Sequence, residues 1–118
     1  MLKNIPVVLE GYKVRVVEEP VVKMYKNRDT GKQEMATNQD GAPLYEMSIF
    51  MKAIPTEEGK RAPKGFEMKV TLETEPPSGI EEGDLVALHH PRLSQFLLDN
   101  GTQGVTLKAL GVMAPNAG

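Results

Sequence analysis

Residues 40–53 read DGAPLYEMSIFMKA, and the fold is decided there. Asp40-Gly41 is a turn signal, and Pro43 suits the entrance to a strand. Strict alternation follows. Tyr45, Met47, Ile49, Met51 and Ala53 share one face, while Leu44, Glu46, Ser48, Phe50 and Lys52 share the other, because successive strand side chains point to opposite sides. The first set is a core face. The second is a polar face broken by one large aromatic, Phe50.

The same period recurs on both sides of this stretch. Tyr12, Val14 and Val16 alternate with Lys13 and Arg15, placing the apolar set inward. Glu18-Glu19-Pro20 predicts a bulge or bend, since proline donates nothing to a central ladder, and residues 21–25 resume the strand. Residues 5–9 read as a short edge strand broken by Gly11. Phe66, Met68, Val70 and Leu72 alternate with charged and polar neighbours until Pro76-Pro77 ends the run. Residues 85–88 are a continuous apolar stretch, and 104–110 form a last strand. The candidate core is Val14, Val16, Met47, Ile49, Met51, Met68, Val70, Leu72, Val86, Leu88, Val105 and Leu107. One helix is expected after Pro91, a favoured first-turn residue, with Leu93, Phe96 and Leu97 at helical spacing and Asn100-Gly101 as its stop. Between the strands, residues 27–43 form a long hairpin arm with turn signals at Asp29-Thr30-Gly31-Lys32 and Asp40-Gly41. Residues 55–65 read as an exposed loop.

The order is one long bent strand, two further strands, a short strand, a short helix or loop and a last strand. That predicts an all-β domain with one short helix, best matched by a small five-stranded Greek-key barrel of the OB type. A small β-sandwich or another small barrel is the alternative. A chain of 118 residues suits one domain, taken as residues 1–113 with a disordered tail at 114–118.

Composition narrows the function classes. No apolar run is long enough to span a membrane, and residues 1–10 lack a signal-peptide core, so a cytoplasmic location is expected. The chain has no cysteine, which removes thiolate nucleophiles and Cys-ligated metals. His89-His90 are adjacent and so point apart on a strand, with no third ligand at useful spacing. The acidic groups Glu57-Glu58, Glu73, Glu75 and Glu81-Glu82-Asp84 follow no calcium-loop spacing. No serine sits in a nucleophile elbow, and Thr30-Gly31-Lys32 lacks the rest of a phosphate loop. A non-catalytic protein without cofactor or metal is expected.

Residues 24–109 carry a resemblance. Asp29-Thr30-Gly31, residues 40–46 (DGAPLYE), the Val70 strand, Gly83-Asp84-Leu85-Val86 and residues 104–109 (GVTLKA) resemble small OB-like proteins of actinobacterial plasmids, integrative conjugative elements and phages. These are turn-and-strand signals, and none is catalytic. The element order is similar to that of single-stranded DNA-binding proteins and of small helicase-assisting proteins on conjugative elements. The resemblance implies a mobile-element setting and a role in replication or transfer, with single-stranded DNA, a helicase or a relaxase as candidate partners.

The net charge is −2, from 14 Lys and Arg against 16 Asp and Glu. A binding face therefore depends on where the cations sit. Lys13, Arg15, Lys23, Lys26 and Arg28 run along the first strand into the arm, and Lys60 and Arg61 cluster in the later loop. Tyr25, Phe50 and Lys52 interleave with them. Bases stack on aromatic faces while cations track phosphates, so this mixture is what single-strand binding needs. Those ten residues are the candidate nucleic-acid site. The competing expectation is a protein-interaction or oligomerisation module. Seven methionines suit an adaptable surface, and the edge near residues 7–9 is open to pairing with a second copy.

Overall fold

A computed structural model describes residues 2–55 and 63–114. The strands are β1 (Ile5–Pro6), β2 (Tyr12–Val22), β3 (Met24–Lys26), β4 (Gln33–Met35), β5 (Tyr45–Ala53), β6 (Phe66–Leu72), β7 (Leu85–His89), β8 (Arg92–Leu97), β9 (Gln103–Ala109) and β10 (Gly111–Met113). Eight of them form one curled sheet, half of a barrel, in the order β1-β8-β9-β6-β5-β2-β7-β10, and β3 and β4 make a separate two-stranded arm. The molecule is all-β, with no helix among the described residues.

The period-two segments became the centre of the sheet. β5 pairs with β2 on one side and β6 on the other, antiparallel to both. Its inward residues Met47, Ile49 and Met51 are buried with Val14, Val16, Val70, Leu72, Val86 and Leu107, as alternation predicts, and Met68 and Leu88 pack against them half-buried. Ala109 and Val112 join this core, and Val7 and Leu9 of the chain between β1 and β2 lean onto it. The bend expected at Pro20 is present as register shifts between Val16 and Glu18 and between Glu18 and Val21. Such shifts increase local twist and help a sheet to curl.

The helix after Pro91 is not formed. Residues 92–97 are β8, laddered to β9 from Arg92–Lys108 through Leu97–Gln103 and flanked by β1. Leu93, Phe96 and Leu97 fit a helical stripe, but Leu93 and Leu97 equally fit one strand face. A helix shorter than ten residues is marginal alone, and a ladder with a hydrophobic face outweighs it. His90 carries the change of direction with a left-handed φ of 48°. Because it leaves strand geometry, its ring meets that of His89 edge-on, with centroids 4.3 Å apart, instead of pointing away from it. Among the described residues ten strands stand where five were expected.

Val105 is 50% exposed and not core. β9 runs parallel to β6 only over Val70–Leu107, Thr71–Lys108 and Leu72–Ala109. Before that the two strands part, so the first half of β9 pairs with β8 alone. Tyr12, expected inward, is also 43% exposed, because β2 starts there at the open end of the sheet. The expected tail lies, apart from Ala114, outside the described residues.

Candidate nucleic-acid interface

The ladder between β2 and β5 sets Lys13 opposite Lys52 and Arg15 opposite Phe50. All four are exposed, on the outer face of the curl. The Arg15 guanidinium is anchored there, donating through Nη1 to the Gly83 carbonyl at 3.0 Å. One register step beyond the Met51–Phe66 pair, Lys52 comes abreast of Gly65, next to the exposed Lys64. Lys13, Arg15 and Lys52 thus share the outer face with Phe50 at the open end of the sheet, while Glu67 stands opposite Phe50 on the β6 side.

Phe50 has a structural partner that its own strand does not reveal. A β-carbon built on Gly65 would run into the Phe50 ring. The ring therefore lies across β6 onto glycine backbone, which covers part of it and leaves 39% of the residue exposed. Phe96 and Gly104 repeat the device. They are opposite one another on β8 and β9, and the Phe96 ring occupies the place of a Gly104 β-carbon. An aromatic laid over a cross-strand glycine compensates for the packing that the glycine lacks.

The remaining cations are elsewhere. Lys23 follows β2, ten residues beyond Lys13, about 30 Å along an extended strand. Its ammonium donates to Thr71 Oγ1 at 2.9 Å. Tyr25 and Lys26 are in β3 and Arg28 is in the turn after it, all exposed. The Tyr25 hydroxyl donates to Glu34 Oε2 at 3.0 Å, and this bond, with the charge of the carboxylate, raises the phenol's pKa above its ordinary value. Lys60 and Arg61 fall outside the described residues. Between the two clusters the outer face turns mixed. Glu18 is exposed opposite a buried Ser48, and Glu46 pairs with Lys69 at 3.8 Å. The predicted stripe is thus two separate groups, one at each end of the β2–β5 pair.

The arm is built by local hydrogen bonds. Asn27 Oδ1 accepts from the amides of Asp29 and Thr30, and Asn38 Oδ1 accepts from those of Asp40 and Ala42. Met24 faces Met35 across the two strands, and both are about half exposed. Farther round the sheet, Arg92 of β8 and Glu73, just after β6, form an ion pair. Among the described residues no group of three or more His, Asp or Glu side chains is placed to hold a metal, and no helix is long and apolar enough to cross a membrane.

Comparison with protein-family models, with curated proteins and with solved structures finds no match.

Proposed function

We propose that this chain is a non-catalytic accessory protein that binds single-stranded nucleic acid, acting in replication or transfer of a mobile element or phage. The observation that carries the reading is the register placing Lys13, Lys52, Arg15 and Phe50 together on one exposed face. Cations beside an aromatic ring suit a ligand with phosphates and unstacked bases, and sequence tolerance follows because every base has a π-face. The mobile-element setting rests on the resemblance of residues 24–109. The reading carries an OB-type barrel with it. β2 pairs with β5 and β7, β5 with β6, β6 runs parallel to β9, and β9 pairs with β8. Taking β7 and β8 as one strand broken at His90, this pairing order supports the five-stranded Greek-key reading.

A second reading is favoured by the exposed Met24–Met35 pair on the arm: a contact surface for a helicase, a relaxase or a second copy of the chain, without nucleic acid. Fluorescence anisotropy with labelled oligo-dT and with duplex DNA, at two salt concentrations, separates the two. The single-strand reading expects preference for oligo-dT and an affinity that falls with salt, with a logarithmic slope of about −2 for three neutralised phosphates. Absence of binding at low salt leaves the protein-interaction reading.

A further inference from the structure

Phe50 and Phe96 both belong to the outer face. Phe50 is opposite Glu67 on β6, and Phe96 is opposite Gly104 on β9. β6 and β9 pair only from Val70–Leu107 onward, so Glu67 and Gly104, each three residues before that pair, share the outer face on either side of the place where the two strands part. The two phenylalanines are therefore three strands apart, at least about 14 Å between backbones, since β6 and β9 part between them. Each ring reaches inward from its own strand, Phe50 onto Gly65 of the β6 side and Phe96 onto Gly104 of β9. The two rings stand on either side of the seam where β6 and β9 part. Ring positions fixed against glycine backbone are pre-organised, so a stacking ligand loses less freedom in ordering them.

We propose that Phe50 and Phe96 form a two-ring platform, each ring stacking one base of a single nucleic-acid strand that crosses the β6/β9 seam. This rests on the single-strand reading above. The phosphates follow Lys13, Arg15 and Lys52, on the β2–β5 side of the Phe50 ring, away from Glu67 on β6. Glu67 is exposed between the two rings, and its carboxylate repels phosphate from the seam while leaving the uncharged bases free to cover it. Phe96 is thus a binding residue of the same site, although no cation neighbours it in sequence.

The chain has no tryptophan, so single Phe50→Trp and Phe96→Trp variants each carry one reporter. Titration with oligo-dT should quench both. Phe96→Ala should weaken oligo-dT binding by about 5- to 150-fold, the loss of one base stack. Its melting temperature shows whether it stays folded. If it does not, quenching in Phe96→Trp decides. Quenching at position 50 with none at 96, or an unchanged affinity in a folded Phe96→Ala, overturns the two-ring platform and leaves single-strand binding standing. Failure of the unaltered protein to bind oligo-dT at low salt overturns both.

Discussion

The two ends of the β2–β5 pair are held by different physics. Around Val14, Val16, Ile49 and Met51 the strands are fixed by burial, with Ile49 entirely out of water and packed on Val70 and its neighbours in the core. Beyond Val22 and Tyr45 the chain continues as an exposed arm whose order comes from two asparagine-centred turns and a short ladder. Burial gains free energy in proportion to apolar area removed from water, whereas an exposed hydrogen bond mostly exchanges with solvent. The barrel end is therefore the rigid surface on which a ligand's geometry can be preset, and the arm is the part that opens first.

Ile49→Asp attacks the burial side of this contrast and has the largest expected effect. It places an unpaired charge in the core and should cost more than about 4 kcal/mol, a large share of any small domain's stability. Met35→Asp, on the half-exposed arm, should shift stability by no more than about 0.5 kcal/mol. Comparable losses in chemical denaturation would show that the arm is part of the core. The glycines give the next effect. An alanine β-carbon at Gly65 meets both the Phe50 ring and the Met51 carbonyl oxygen, the latter at 2.9 Å, whereas at Gly104 it meets only the Phe96 ring. A ring at the end of a side chain moves more cheaply than backbone. Gly65→Ala should therefore destabilise by roughly 1–3 kcal/mol and Gly104→Ala by less. The reverse order in melting temperature would remove the account of Phe50.

Much of the curled sheet is legible in the sequence because its strands are half-buried. Val14 to Val16, Met47 to Met51 and Met68 to Leu72 each write the sheet's two faces as an alternation that needs no partner to be read. Residues 92–97 resist the same reading, because Leu93 and Leu97 satisfy both periods while Phe96 fits only the helical stripe, and the non-local ladder to β9 makes the choice. Val105 has the right residue type and parity, but its burial depends on where β6 and β9 part. The candidate site is legible as residue types and as one cross-strand cluster. Its division into two ends is not, since a one-dimensional run of cations from Lys13 to Arg28 hides the length of β2. The glycine-backed rings are hidden for a related reason. Phe50 and Gly65 become neighbours only through the register of β5 on β6. The sole local signal was a glycine standing next to, or within, a strand pattern, which marks close approach of another group.

Hydrogen exchange sharpens the contrast without mutation. Amides of residues 33–38 should exchange far faster than those of residues 47–51, because opening the arm exposes little buried apolar surface. Equal protection would mean that the arm and barrel open as one unit. The smallest effect is confined to Tyr25. Its raised pKa reflects a protonated phenol held by Glu34, so this contribution to the arm is present below about pH 10 and is lost as pH rises through the raised value. Glu34→Gln should bring the Tyr25 midpoint down toward 10, read from its ring resonances, with no change in the barrel. An unmoved midpoint would dissolve the hydrogen-bonded pair.

In the proposed binding mode the open end of the sheet carrying Lys13 and Lys52, and not the arm, receives the phosphates. That assignment is tested most directly by the salt dependence of oligo-dT binding in two double variants, Lys13→Ala/Lys52→Ala and Lys26→Ala/Arg28→Ala. Each lost phosphate contact should flatten the logarithmic salt slope by about 0.7 for a single strand. The account predicts a slope shallower by about 1.4 in the first variant and unchanged in the second. A flattened slope in the arm variant, with the unaltered slope retained in the barrel variant, would contradict it.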